Sequence, residues 1–130
     1  MDKGPVLAPS LVEEFVRTAH SDIERVKELL TLEPALINAS WDWGGGDWET
    51  ALGSASHMGR SDIARLLLVH GAHMSIYCAA MLGMLAVVRA IVEADPAAAS
   101  KPGPHGISLP RHATMGGDDA HAVLKYLQSL

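Results

Sequence analysis

Cysteine is almost missing from this 130-residue chain. Cys78 stands alone, so no disulfide can close within it, and the expectation is a reducing, cytoplasmic setting. Aromatic residues are scarce at 5%, with a single phenylalanine. A basic excess is missing as well: ten Lys and Arg face fifteen Asp and Glu, for a formal net charge of −5. Phosphate binding needs clustered cations, and here they are scattered, which argues against nucleic acid as a partner. No apolar run is long enough to span a bilayer. The longest nearly unbroken one, Ile76–Val88, has 13 residues, where about 20 are needed, so no membrane association is expected. The first residues, Met1-Asp2-Lys3-Gly4-Pro5, lack the apolar core of a secretory signal. Gly44-Gly45-Gly46 is followed by no Gly-Lys-Ser/Thr, so it is no phosphate loop, and no cofactor motif is present.

What is present is enough apolar material for one domain, residues 1–130, with 48% hydrophobic residues. The dominant pattern is a recurring small residue followed eight and nine positions later by two aliphatics. Ser21 precedes Leu29-Leu30, Gly59 precedes Leu67-Leu68, and Gly83 precedes Ile91-Val92. Gly117 precedes Tyr126-Leu127 with one extra residue between. The following segments carry helical apolar spacing, as in Ile23, Val26, Leu29, Leu30, with Glu24, Lys27 and Glu28 on the other face. Upstream of three anchors lie shorter, alanine-rich helices over 51–56, 76–80 and 109–114, small enough to pack closely. Thr50 and Ser108 stand where an N-cap is wanted.

The run Thr50-Ala51-Leu52-Gly53-Ser54-Ala55-Ser56-His57-Met58-Gly59, with His70-Gly71-Ala72 and Leu36-Ile37-Asn38-Ala39, resembles the ankyrin-repeat family. That resemblance implies an all-α solenoid of about four helix-turn-helix repeats, approximately 10–38, 50–72, 74–100 and 107–130. The family's Thr-Pro-Leu-His box is not kept: its His position is held by Gly53, Tyr77 and Arg111. The resemblance also implies a protein or peptide partner gripped by hairpin fingers and inner helices.

Anchor spacings of 38, 24 and 34 residues depart from a period of about 33. They predict one enlarged finger, one missing finger and one near normal. Between the outer two, at 40–49 and 101–106, a gap is expected. Its floor would be the positions just before each anchor: Ala19 and His20, His57 and Met58, Met81 and Leu82, Met115 and Gly116. An apolar concavity with a few polar groups is the usual form of a binding site. Met74 and Met84 read as core.

The candidate binding residues follow from that frame. Trp41, Trp43 and Trp48 all lie in the enlarged finger, and indoles combine a large contact area with one N–H donor. Met58, Met81 and Met115 with Leu82 would supply an adaptable apolar floor. Tyr77 falls in register with Gly53 and would point its hydroxyl toward the gap. His105 sits at a finger tip in Gly103-Pro104-His105-Gly106. His57, with Asp47 and Glu49 nearby in sequence, is either a polar surface residue or one half of an acid–base pair. His112 reads as a buried histidine. His70-x-x-His73 with Cys78 has zinc-ligand types, but Gly71 interrupts the spacing and Cys78 falls on a buried helix, so no metal is expected there.

Two functions remain open on these residues. One is a non-catalytic module that grips a protein or peptide with the concave face and the Trp-rich finger. The other is a pocket for a small organic ligand between the first and third fingers, with a cofactor-free acid–base enzyme of cyclisation or isomerisation type, using His57, Asp47 and Glu49, as its catalytic form.

Overall fold

A computed structural model describes residues 2–130, and it is mostly helical. Among the described residues there are eight α-helices: α1 Pro9–Thr18, α2 Ile23–Leu32, α3 Ala51–His57, α4 Ser61–Val69, α5 Ile76–Met81, α6 Leu85–Ala94, α7 Leu109–Met115 and α8 His121–Gln128. A hairpin of β1 Ser40–Asp42 and β2 Trp48–Thr50 stands between α2 and α3, antiparallel, with Trp41 opposite Glu49 and Asp42 opposite Trp48. None of these helices is long and apolar enough to cross a membrane.

Successive helices pack in pairs, α1 on α2, α3 on α4, α5 on α6 and α7 on α8. The first members of the pairs also touch in a row, α1 to α3 to α5 to α7, and α3 reaches α7 directly. Small side chains permit this closeness. Ala51, Ser54, Ala55 and Ser56 of α3, and Cys78, Ala79 and Ala80 of α5, are buried. The Ser54 hydroxyl donates to the Val16 carbonyl at 2.9 Å, which satisfies a polar group between α1 and α3. The second members bury one stripe each: Val26, Leu29 and Leu30; Ile63, Ala64 and Leu67; Val88 and Val92; Val123 and Leu127.

The short helices start at capping side chains. Thr50 Oγ1 accepts from the Gly53 amide at 3.1 Å and Ser108 Oγ from the Arg111 amide at 3.2 Å, as their positions predict. Ser75 and Asp22 cap α5 and α2 in the same way. Gly59, just past α3, has φ +69°, and a Cβ there would lie 2.5 Å from the Met115 carbonyl oxygen. Both facts require glycine, so this anchor is set by α7's close approach as well as by the turn.

The three connections differ from one another. The first is the hairpin. The second, between α4 and α5, contains no strand, and Asn38 braces it: its Nδ2 donates to the Gly71 carbonyl at 3.1 Å and its Oδ1 accepts from the His73 amide at 2.9 Å. The third, between α6 and α7, ends in a tight turn in which the Gly103 amide donates to the Ile107 carbonyl at 2.8 Å.

Several expectations about the methionines need correction. Met81 and Leu82 are buried and belong to the core, not to an exposed floor. The backbone of Gly116 lies against the Met81 carbonyl and covers this end of α5. Met115 is half-buried, and Met58 is exposed as expected. Met74 and Met84, expected in the core, are exposed instead: both lie outside the helices, on the connections before α5 and α6.

Candidate functional site

The centre of interest is Glu49, in the second strand of the hairpin. Its side chain has 0% exposure, yet four polar ring nitrogens surround it. Strand register explains the placement. Trp41 and Glu49 face one another across the hairpin, and Trp43 lies on the same face by the period-two alternation of side chains. Trp43 Nε1 donates to Glu49 Oε1 at 3.0 Å.

Three imidazoles complete the cluster, each from a different segment. His20, just beyond α1, places Nε2 3.3 Å from Glu49 Oε1. His57, the last residue of α3, places Nε2 3.0 Å from Glu49 Oε2. His105, from the turn before α7, places Nε2 3.2 Å from the same oxygen. The rings of His20 and His57 meet edge-on with centroids 4.9 Å apart, and those of His57 and His105 at 5.3 Å. Exposure grows outward, from 11% at the His57 side chain to 23% at His20 and 31% at His105, so the cluster opens on one side.

Two of the three rings have their tautomer set from behind. His20 Nδ1–H donates to the Arg17 carbonyl at 2.9 Å. His105 Nδ1–H donates to Asp47 Oδ2 at 2.7 Å, while the His105 amide donates to Asp47 Oδ1 at 2.8 Å. This clasp holds His105 at φ 61°, a left-handed conformation uncommon outside glycine. With Nδ1–H committed, His20 and His105 turn Nε2 toward Glu49. The electrostatics agree with the geometry. Burial alone would raise the Glu49 carboxyl, but the His20 and His57 imidazoles beside it outweigh that effect and hold the group well below the usual carboxylate range. The Glu49 carboxylate in turn raises His20 against the opposing effect of burial. Asp47 is lowered, first by the His105 amide.

Not every close approach is a hydrogen bond. Glu49 Oε2 and the Nε2 of His57 are buried and lack a hydrogen-bond partner, although they lie 3.0 Å from one another.

The structure thus brings together Trp43, Asp47, Glu49, His57 and His105 from the sequence candidates, but not as the acid–base trio His57, Asp47 and Glu49. Asp47 is engaged by His105, and Glu49 is the hub. The other candidates go elsewhere. Trp41 packs against the core, and Trp48, paired with Asp42, projects from the hairpin's other face. Together they line a separate cavity of about 300 Å³ with Leu7, Pro9, Val12 and Ser40. The Tyr77 hydroxyl donates to the Lys101 carbonyl at 2.8 Å, which ties α5 to the third connection and leaves no hydroxyl for the site. His112 is buried beside the Tyr77 ring. Cys78 is buried, and burial pushes its thiol up, away from nucleophilic character.

His20 is the member of this cluster that the sequence does not single out as a binding candidate. It was placed on the floor by its position before Ser21, and the signal was there: it occupies the same register as His57 before Gly59, offset by one residue. Comparison with protein-family models, with curated proteins and with solved structures gives no match.

Proposed function

We propose that the chain is an ankyrin-type stack of four helix pairs acting in the cytoplasm, and that it binds a small ligand of positive charge at Glu49. The observation that carries this reading is a fully covered carboxylate on which three imidazole nitrogens converge within 3.3 Å. A buried carboxylate is costly unless paired. Two of its neighbours have committed their Nδ1 protons elsewhere, so the cluster offers lone pairs and negative charge to whatever enters from the open side. Trp43, hydrogen-bonded to the same carboxylate and with its ring 6.4 Å from that of His20 and 6.3 Å from that of His105, borders the entrance.

A ligand of this kind fits the geometry better than a peptide groove does, because Met81 and Leu82 are buried and the expected apolar floor is interrupted. One observation favours the other reading, a module that grips a protein: Trp48 and Met58 remain exposed at 58% and 42%.

Native mass spectrometry of the protein purified from its host decides between them. The expected result is a retained small mass that is lost in Glu49→Gln with the fold intact by circular dichroism. A clean apo mass, or a bound mass indifferent to Glu49→Gln, refutes the reading.

A further inference from the structure

Resting on the reading of Glu49 as a ligand site, we propose that the ligand is a divalent transition-metal ion of the zinc class. Its ligands are the Nε2 atoms of His20, His57 and His105 and one carboxylate oxygen of Glu49.

Geometry comes first. One ligand atom from each of the four residues can be chosen so that all lie within 4.8 Å of one another. Imidazole nitrogens and carboxylate oxygens bind zinc at about 2.0–2.2 Å, which separates tetrahedral neighbours by roughly 3.3–3.6 Å. The contacts of His57 and His105 Nε2 with Glu49 Oε2, at 3.0 and 3.2 Å, fall just inside that spacing, while His20 Nε2 stands 3.3 Å from the other carboxylate oxygen. A small relaxation outward around a central ion is all that is required.

The second observation is independent of spacing. Glu49 Oε2 and His57 Nε2 are buried, close to each other and unpartnered. Atoms meant to hydrogen-bond at 3.0 Å would be aligned along a donor hydrogen. Two buried electron-pair donors 3.0 Å apart with no hydrogen bond between them are instead what ligands of one ion look like.

The supporting shell points the same way. Metal-bound histidines characteristically donate their other N–H to a carbonyl or carboxylate, which fixes ring orientation and raises donor strength. His20 has the Arg17 carbonyl in that role and His105 has Asp47. Trp43 Nε1 on Glu49 Oε1 does the equivalent for the carboxylate and leaves Oε2 as the ligand atom. Three imidazoles with one carboxylate suit zinc and its first-row neighbours; magnesium and calcium prefer all-oxygen sets. Among the described residues, His70 and His73 do not belong to the group whose ligand atoms converge. The expectation from sequence that the chain has no metal site is replaced by this proposal at residues that the spacing of His70 and His73 did not indicate.

The test uses the full chain, stripped with a chelator and titrated with zinc(II) against a competing indicator, with cobalt(II) as a spectroscopic substitute. One ion per chain is expected, with a visible cobalt spectrum of tetrahedral intensity. His57→Ala and the more exposed His105→Ala should each weaken zinc at least about 100-fold, beyond the ~10–100-fold carried by outer partners. His73→Ala should leave affinity unchanged. Should His57→Ala fail to fold, His105→Ala alone decides. Absence of stoichiometric zinc binding, or binding that survives His105→Ala, overturns the proposal. If zinc fails but an organic mass lost in Glu49→Gln is found on the host-purified protein, the ligand-site reading stands and only the metal is wrong. If both are absent, both fall.

Discussion

Replacing Gly59 by alanine isolates the contact on which the placement of His57 depends. Two costs add at this position. A left-handed residue other than glycine costs about 1–2 kcal/mol. The new Cβ would also stand 2.5 Å from the Met115 carbonyl oxygen and 3.3 Å from its carbon, an overlap of the kind that costs about 1–3 kcal/mol when a packed site must yield. The sum is about 2–5 kcal/mol. Gly71 provides the control, because its φ is +96° but nothing lies within 4 Å of a Cβ there. Gly71→Ala should therefore cost only the conformational part, about 1–2 kcal/mol. Unfolding entropy near 2.1 cal/mol/K per residue makes 1 kcal/mol worth about 4 °C in a chain of this length. Thermal unfolding followed by circular dichroism should thus show a Tm lowered by roughly 4–8 °C for Gly71→Ala and by roughly 8–20 °C for Gly59→Ala, on the same scale. His57 precedes Gly59 by two residues, so the second variant should also bind zinc more weakly. A Gly59→Ala protein no less stable than Gly71→Ala would refute the close approach of α7 to the end of α3.

Asp47→Ala removes both acceptors that hold His105, and zinc affinity should fall ~10–100-fold while far-UV circular dichroism stays that of the parent; an unchanged affinity in the indicator titration would show that the clasp does not position the ring. Trp43→Phe should abolish most of the change in tryptophan emission on adding zinc, since Trp41 and Trp48 lie off the site; a response that persists in this variant would place the reporter elsewhere. Leu67→Ala, in the fully buried stripe of α4, should lower stability by about 2–5 kcal/mol in urea with an unaltered slope, and a cost under 1 kcal/mol would contradict the packing described.

The helix pairs were legible because they are periodic. Aliphatics eight and nine residues after a small anchor mark α2, α4 and α6, and hydroxyl caps mark α3 and α7. Uneven spacing marked the first and second connections as unequal in length, as 33–50 and 70–75 are. The site was only half legible. Asp47, Glu49, His57 and His105 stood out as polar residues at a rim, but which carboxylate meets which imidazole depends on long-range packing between elements far apart in the chain. The packing of α3 against α7 accompanies the contact of residue 105 with residue 47, which no local pattern encodes. Long-range packing also buries Met81 and Leu82 under the turn at Gly116, so equal positions in successive pairs acquire unequal exposure. Tyr77 was misread for the same reason: its hydroxyl is taken by a backbone carbonyl from a connection 24 residues away.

In a simple row of helix pairs each unit leans only on its neighbours, and an end can fray without disturbing the rest. Here the turn before α7 reaches back over the third pair to the hairpin that precedes the second, and α3 touches α7 beside it. The chain is thereby laced front to back through Glu49, so loosening the C-terminal end uncovers a buried charge. Stability measured at either end should then report on the whole molecule, with one melting event in place of stepwise peeling.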